Sequence, residues 1–108
     1  MLRPVKNVLN YKILATDGEI GGVSDLIIDD EEMKLRYLII DTGNWLPGRK
    51  VVLSTAWISS VAPERETVVM NIEKKRIREA PEYKPDGDFN REYETRLHDY
   101  YRFPYYWV

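Results

Sequence analysis

This 108-residue chain contains no cysteine, and that one absence removes disulfides, thiol catalysis and thiolate metal sites together. Histidine occurs once, at His98, so no pair of imidazoles can share a metal. No apolar run approaches the ~20 residues of a membrane-spanning helix. The opening Met1-Leu2-Arg3-Pro4-Val5-Lys6-Asn7 lacks the apolar stretch of a signal peptide, and a cytoplasmic location is expected. Neither sign of charge dominates. A formal net charge of −2 supplies no basic field for nucleic acid or anionic lipid, so nucleic acid is not the expected partner.

What remains is an ordinary globular composition, 44% hydrophobic and 31% charged, on a chain long enough for one domain. A core this small is thin and gains from any surface that covers it. Tyr11 to Ala15 reads as a first strand, ended by Thr16-Asp17-Gly18. Gly21-Gly22 opens a second, with a bulge or tight bend at the glycines. Asp29-Asp30-Glu31-Glu32-Met33-Lys34 turns the chain into a third. There Leu35, Tyr37 and Ile39 share one face while Leu38 and Ile40 share the other. A strand wetted on one side alternates with polar residues. This one does not, so its outer face needs a cover, either the chain's own tail or a second copy.

Gly43 to Gly48 reads as a loop carrying Trp45 and Leu46, and strands follow at Lys50–Leu53, Ala56–Val61 and Thr67–Ile72. Lys74 to Glu79 makes a short helical turn before Pro81. Residues Pro81 to Asp88 form a linker rich in proline, glycine and acid. Asn90 then caps a helix with Glu92 and Glu94 in its first turn. Tyr93, Leu97 and Tyr100-Tyr101 share one helical face, and Glu92 pairs with Arg96 on the wet side. Pro104 ends the helix. More than half of the aromatic residues lie from Tyr93 onward, and a helix of roughly 12 residues needs a docking surface to persist.

The candidate chemistry reads mostly as structure. Gly43-x4-Gly48-Arg49-Lys50 echoes a phosphate loop but lacks Gly-Lys-Ser/Thr and leads into a strand, not a helix. Asp29 to Glu32 lacks the glycine and distal glutamate of a calcium loop and reads as a solvated turn. His98 stands beside Asp99 with no serine-elbow motif and reads as a surface residue near Glu94. Lys74-Lys75-Arg76-Ile77-Arg78 is flanked by Glu73 and Glu79 and reads as a solvated turn rather than a phosphate contact. Asp25 and Asp41 read as turn caps. No catalytic residue, metal ligand or cofactor is expected. The aromatic tail is the one strong candidate, because Tyr and Trp anchor interfaces.

Gly18-Glu19-Ile20-Gly21-Gly22-Val23-Ser24-Asp25-Leu26-Ile27-Ile28-Asp29, followed by Arg36-Tyr37-Leu38-Ile39-Ile40-Asp41-Thr42-Gly43, resembles the PRC-barrel family. Trp45-Leu46-Pro47-Gly48-Arg49-Lys50-Val51-Val52-Leu53 continues the likeness, and the end from Ala80-Pro81-Glu82-Tyr83 to Trp107 is similar to stand-alone bacterial members. The resemblance implies a mainly β fold, a small, partly open antiparallel barrel of roughly five or six strands, with a C-terminal helix and aromatic tail. It places the barrel domain at residues 1–80, with 81–108 as linker, helix and tail packed on the barrel or on a dimer partner. The family's settings are the reaction-centre H subunit, a ribosome-maturation factor and archaeal cell-division adaptors, which share protein docking and offer no catalytic residues to carry over.

The expectation is therefore a non-enzymatic interaction or scaffold module that forms a homo-oligomer, a dimer first, and binds a further protein. Its interaction surface is assigned to Tyr37, Trp45, Tyr100, Tyr101, Phe103, Tyr105, Tyr106 and Trp107. A ribosome- or RNA-associated factor using Lys74–Arg78 is one alternative. A peripheral component of a photosynthetic reaction-centre-like or redox membrane complex is another.

Overall fold

Apolar residues that alternate along short segments between acidic turns specify strands, and six of them form among the described residues. The computed structural model describes residues 8–43, 46, 49–83 and 89–108. The strands are β1 (Lys12–Ala15), β2 (Gly18–Asp29), β3 (Lys34–Asp41), β4 (Lys50–Ser54), β5 (Ile58–Ala62) and β6 (Thr67–Met70). Two helices follow, α1 (Lys74–Arg78) and α2 (Arg91–Tyr101). The strands make one open sheet in the order β4-β3-β2-β1-β6-β5, a mainly β, partly open barrel. One expectation needs correcting: β1 runs parallel to β6, while the other neighbours are antiparallel.

Two strands begin elsewhere than the turn residues suggest. β2 begins at Gly18, not Gly21, because Thr16-Asp17 alone turn the chain. Residues Thr55–Trp57 form a 3-10 turn rather than the start of β5. The Ser54 hydroxyl caps it by accepting from the Ala56 amide at 3.1 Å. Within β2, Gly21 (φ 145°) sits where the strand passes Asp41. A Cβ there would lie 2.0 Å from the Asp41 carbonyl oxygen, so only glycine fits. The pairing of β2 with β3 slips just beyond, between Val23 and Asp25. Asp29 and Asp41 act as turn caps. The Asp29 Oδ1 accepts from the Glu31 amide at 3.0 Å, and Asp41 Oδ1 from the Gly43 amide at 2.9 Å.

β3 is the spine of the core. Tyr37, Leu38, Ile39 and Ile40 are each at most 4% exposed, so both faces are covered as their apolar pattern demanded. The cover is the chain's own C-terminal segment. α2 and the residues after it lie over the Tyr37 face, and this removes the need for a second copy on that side. The helix starts where expected: the Asn90 side chain accepts from the Tyr93 amide at 2.9 Å. It ends before Pro104, at Arg102 in the left-handed conformation (φ 61°), where the Phe103 amide returns to the His98 carbonyl at 3.1 Å. The residue before a proline resists the helical region, which is why the stop comes early.

Candidate functional site

Strand alternation points Tyr37 from β3 toward α2, and helical spacing brings Tyr93, Glu94, Leu97, His98 and Tyr101 to the same side. The result is a buried polar cluster in an aromatic shell. The Tyr37 hydroxyl lies 2.9 Å from Glu94 Oε1 and 2.9 Å from His98 Nε2. The Tyr106 hydroxyl donates to the same Glu94 oxygen at 2.6 Å. Arg91 Nε approaches the other oxygen, Oε2, at 3.1 Å. His98 Nδ1 is 3.0 Å from the Pro104 carbonyl oxygen. Glu94 and His98 are 6% and 2% exposed. Burial first, and then the Glu94 carboxylate, drives the Tyr37 phenol well above its ordinary pKa. The same causes push Tyr106 up to about 12.

Around this cluster the rings interlock. Trp57 stacks on Phe103 with centroids 5.1 Å apart and meets Tyr101 at 4.6 Å. Phe89 packs on Tyr37 at 5.0 Å. Tyr105 stacks on Trp107 at 4.8 Å, and its hydroxyl donates to Asp99. Two guanidiniums clasp the tail from outside: Arg36 lies 3.9 Å over the Tyr106 ring and Arg91 4.2 Å over Trp107. Arg36 is itself held by Asp29 and Glu32 at 3.3 and 2.5 Å.

These positions sort the residues assigned to an interaction surface. Tyr37 and Tyr101 are 1% exposed and belong to the interior, because a docked helix needs large buried side chains. Tyr100 and Phe103 pack against the core, and the Tyr100 hydroxyl donates to the Arg76 carbonyl. Tyr105, Tyr106 and Trp107 form the outer rim, with Tyr106 36% exposed. Trp45 lies outside the described residues, as do 84–88 of the expected linker.

Two further readings are corrected. His98 is not a surface residue but the centre of the cluster. Its signal was present in the sequence, since Glu94 and His98 are four apart and each follows an apolar residue of the buried stripe, Tyr93 and Leu97. The Glu92–Arg96 pair is replaced by Arg91–Glu94, and Arg96 lies over the Tyr93 ring.

The basic turn is built into the fold. Ile77 of α1 is fully buried, and an Arg76 guanidinium nitrogen donates to the Tyr101 carbonyl. Arg49 donates to the Arg78 and Ala80 carbonyls at 2.9 and 3.1 Å, closing the end of α1. A separate cleft of about 600 Å³ is lined by Lys12, Glu19, Gly21, Ser24 and Asp41 and touches none of the aromatic cluster. Its Lys12 and Glu19 face one another at 3.7 Å. Among the described residues no group of three or more acids or histidines is placed to hold a metal ion, and no helix is long and apolar enough to cross a membrane.

No curated protein matches the sequence. The family comparison gives a match over residues 3–77 to the PRC-barrel domain, which takes in every strand and most of α1 but stops short of Glu94, His98 and the tail. Most of the chain is thus accounted for by a fold whose sheet is seen here strand by strand, and the chain belongs to the PRC-barrel domain family.

Proposed function

We propose that the chain is a non-enzymatic protein-interaction module, a PRC-barrel scaffold that offers the outer rim of its tail to a protein partner and self-associates as a dimer. One observation carries this reading. Tyr105, Tyr106 and Trp107 form a partly exposed array, clasped by Arg36 and Arg91 and fastened beneath to Glu94. Tyr, Trp and Arg are the side chains that dominate binding hot spots. An array already held in place loses little conformational entropy when a partner docks.

Self-association fits the sheet edges. The β4 edge is bridged by Tyr83 at Lys50, whereas among the described residues β5 has β6 as its one strand neighbour and exposes Ser59, Ser60 and Val61. An uncovered edge invites strand pairing, and a molecule with one such edge closes as a two-fold dimer rather than a fibre.

A photo-crosslinking residue in place of Tyr105 tests the partner surface in extracts of the native host. A discrete protein adduct is expected, lost in Trp107→Ala at an unchanged melting temperature. No adduct, or one indifferent to Trp107→Ala, overturns the rim as the docking surface. Sedimentation at micromolar concentration tests the dimer, with Val61→Lys expected to dissociate it. A wild-type species at 12.8 kDa removes self-association.

A further inference from the structure

The cluster beneath the tail requires more hydrogens than its side chains carry with a neutral imidazole. The Pro104 carbonyl only accepts, so His98 Nδ1, 3.0 Å away, must bear hydrogen. Tyr37 has one phenolic hydrogen but two neighbours at 2.9 Å, Glu94 Oε1 and His98 Nε2. Glu94 also receives the Tyr106 hydroxyl on Oε1 and Arg91 on Oε2, so both of its oxygens act as acceptors in this set. The Tyr37 hydrogen then goes to Glu94, and Nε2 must supply the hydrogen of its own contact. Moving that proton to Glu94 and relaying the phenolic hydrogen to Nε2 leaves the total unchanged. Without it, two lone pairs face each other at 2.9 Å in a buried site, which is costly.

We propose that this one extra proton latches the C-terminal tail onto the barrel. The bonds it completes are those that hold the tail, because Pro104 and Tyr106 are two of the six groups in the set. The charged and titratable groups that surround His98 are few. From β3 come Tyr37 and, over Tyr106, Arg36. From α2 come Glu94, Arg91 and Asp99, the last accepting from Tyr105. Arg102 lies beside His98 in the shallow cleft with Phe103 and Tyr105. Trp57, Tyr105, Tyr106 and Trp107 contribute rings and exclude water. The folded state binds a proton that the unfolded chain gives up above about pH 6.5, where free histidine titrates. By linkage, stability then falls as pH rises, and the tail is the part released.

His98 is the sole histidine, so its imidazole nitrogens can be read directly by ¹⁵N NMR on the full chain. At pH 7.5 both nitrogens are expected to show the protonated signature. Chemical shifts of a neutral tautomer, together with a Glu94 carboxyl carbon resonance of the carboxylate form, would overturn the proposal. In denaturant titrations from pH 6.5 to 8.5, the unfolding constant should rise by up to about tenfold per pH unit, the limit for one proton. Tyr37→Phe removes the oxygen between the two acceptors while keeping the ring, and the slope should flatten. His98→Gln should flatten it as well. If Tyr37→Phe keeps the wild-type slope, the extra proton is not held by this set and the latch fails.

Discussion

At the scale of single residues, this fold depends on small local necessities. Gly21 is the clearest. It combines a left-handed backbone with a carbonyl oxygen where a Cβ would stand, and the two penalties add. Gly21→Ala should cost more than the 1–3 kcal/mol of backbone strain alone, because β2 must also move away from Asp41. Chemical denaturation checks it, and a loss below 1 kcal/mol would mean the strands separate easily there. Asn90 is a milder case. Its side chain satisfies the Tyr93 amide, so Asn90→Ala should cost about 1 kcal/mol, seen as a lower denaturation midpoint. Both residues were legible in the sequence, since a glycine pair opening a strand and an asparagine before a run of acids have local physical causes. For His98 the sequence carried only its position beside the buried stripe, not its partner. Whether an imidazole faces water or a buried phenol depends on what the helix docks against, and Tyr37 lies far away along the chain.

At the scale of elements, α2 and the tail act as a lid bound into the core rather than an appendage. Leu97 and Tyr101 are essentially buried, and burying one such side chain contributes roughly 1.5–3 kcal/mol. Removing residues 100–108 takes away Tyr101, Phe103 and the tail's bonds to Glu94 and His98 together. We expect the truncated chain to aggregate or melt well below the full chain, monitored by circular dichroism. An unchanged melting curve would show the tail to be dispensable. The amphipathic spacing of Tyr93, Leu97 and Tyr101 predicted this helix and its buried face. It did not reveal the partner strand, because the apolar pattern of β3 is satisfied equally by a tail or by a second copy. The parallel pairing of β1 with β6 was hidden for the same reason: alternation states which residues face inward but not the direction of a neighbour.

At the scale of the whole molecule, buried phenols set the alkaline limit. Burial raises Tyr37, Tyr93 and Tyr101 above the ordinary tyrosine value near 10. A pKa raised on folding contributes stability that is complete below the unfolded value and lost as pH climbs through the folded one. Stability should therefore decline above about pH 10. Tyrosinate absorbance is expected to rise in two steps, the exposed rings first and the buried ones together with unfolding. A single gradual step, with the fold intact, would show these phenols to be in reach of solvent.

The parallel contact between β1 and β6 also bears on how the molecule comes into being. Lys12 to Leu14 pair with Thr67 to Val69, so one of the earliest strands to be synthesised waits for one of the last. Such a distant pairing is slow to form because the intervening loop must first be closed. Until then the β1–β2–β3–β4 meander, whose turns are local, can assemble alone with the outer edge of β1 unpaired. A growing chain therefore exposes an adhesive strand for most of its synthesis. Moving β1 to the C-terminus by circular permutation should slow folding, because the short hairpin between β1 and β2 then becomes a distant pairing too, with the native sheet order unchanged.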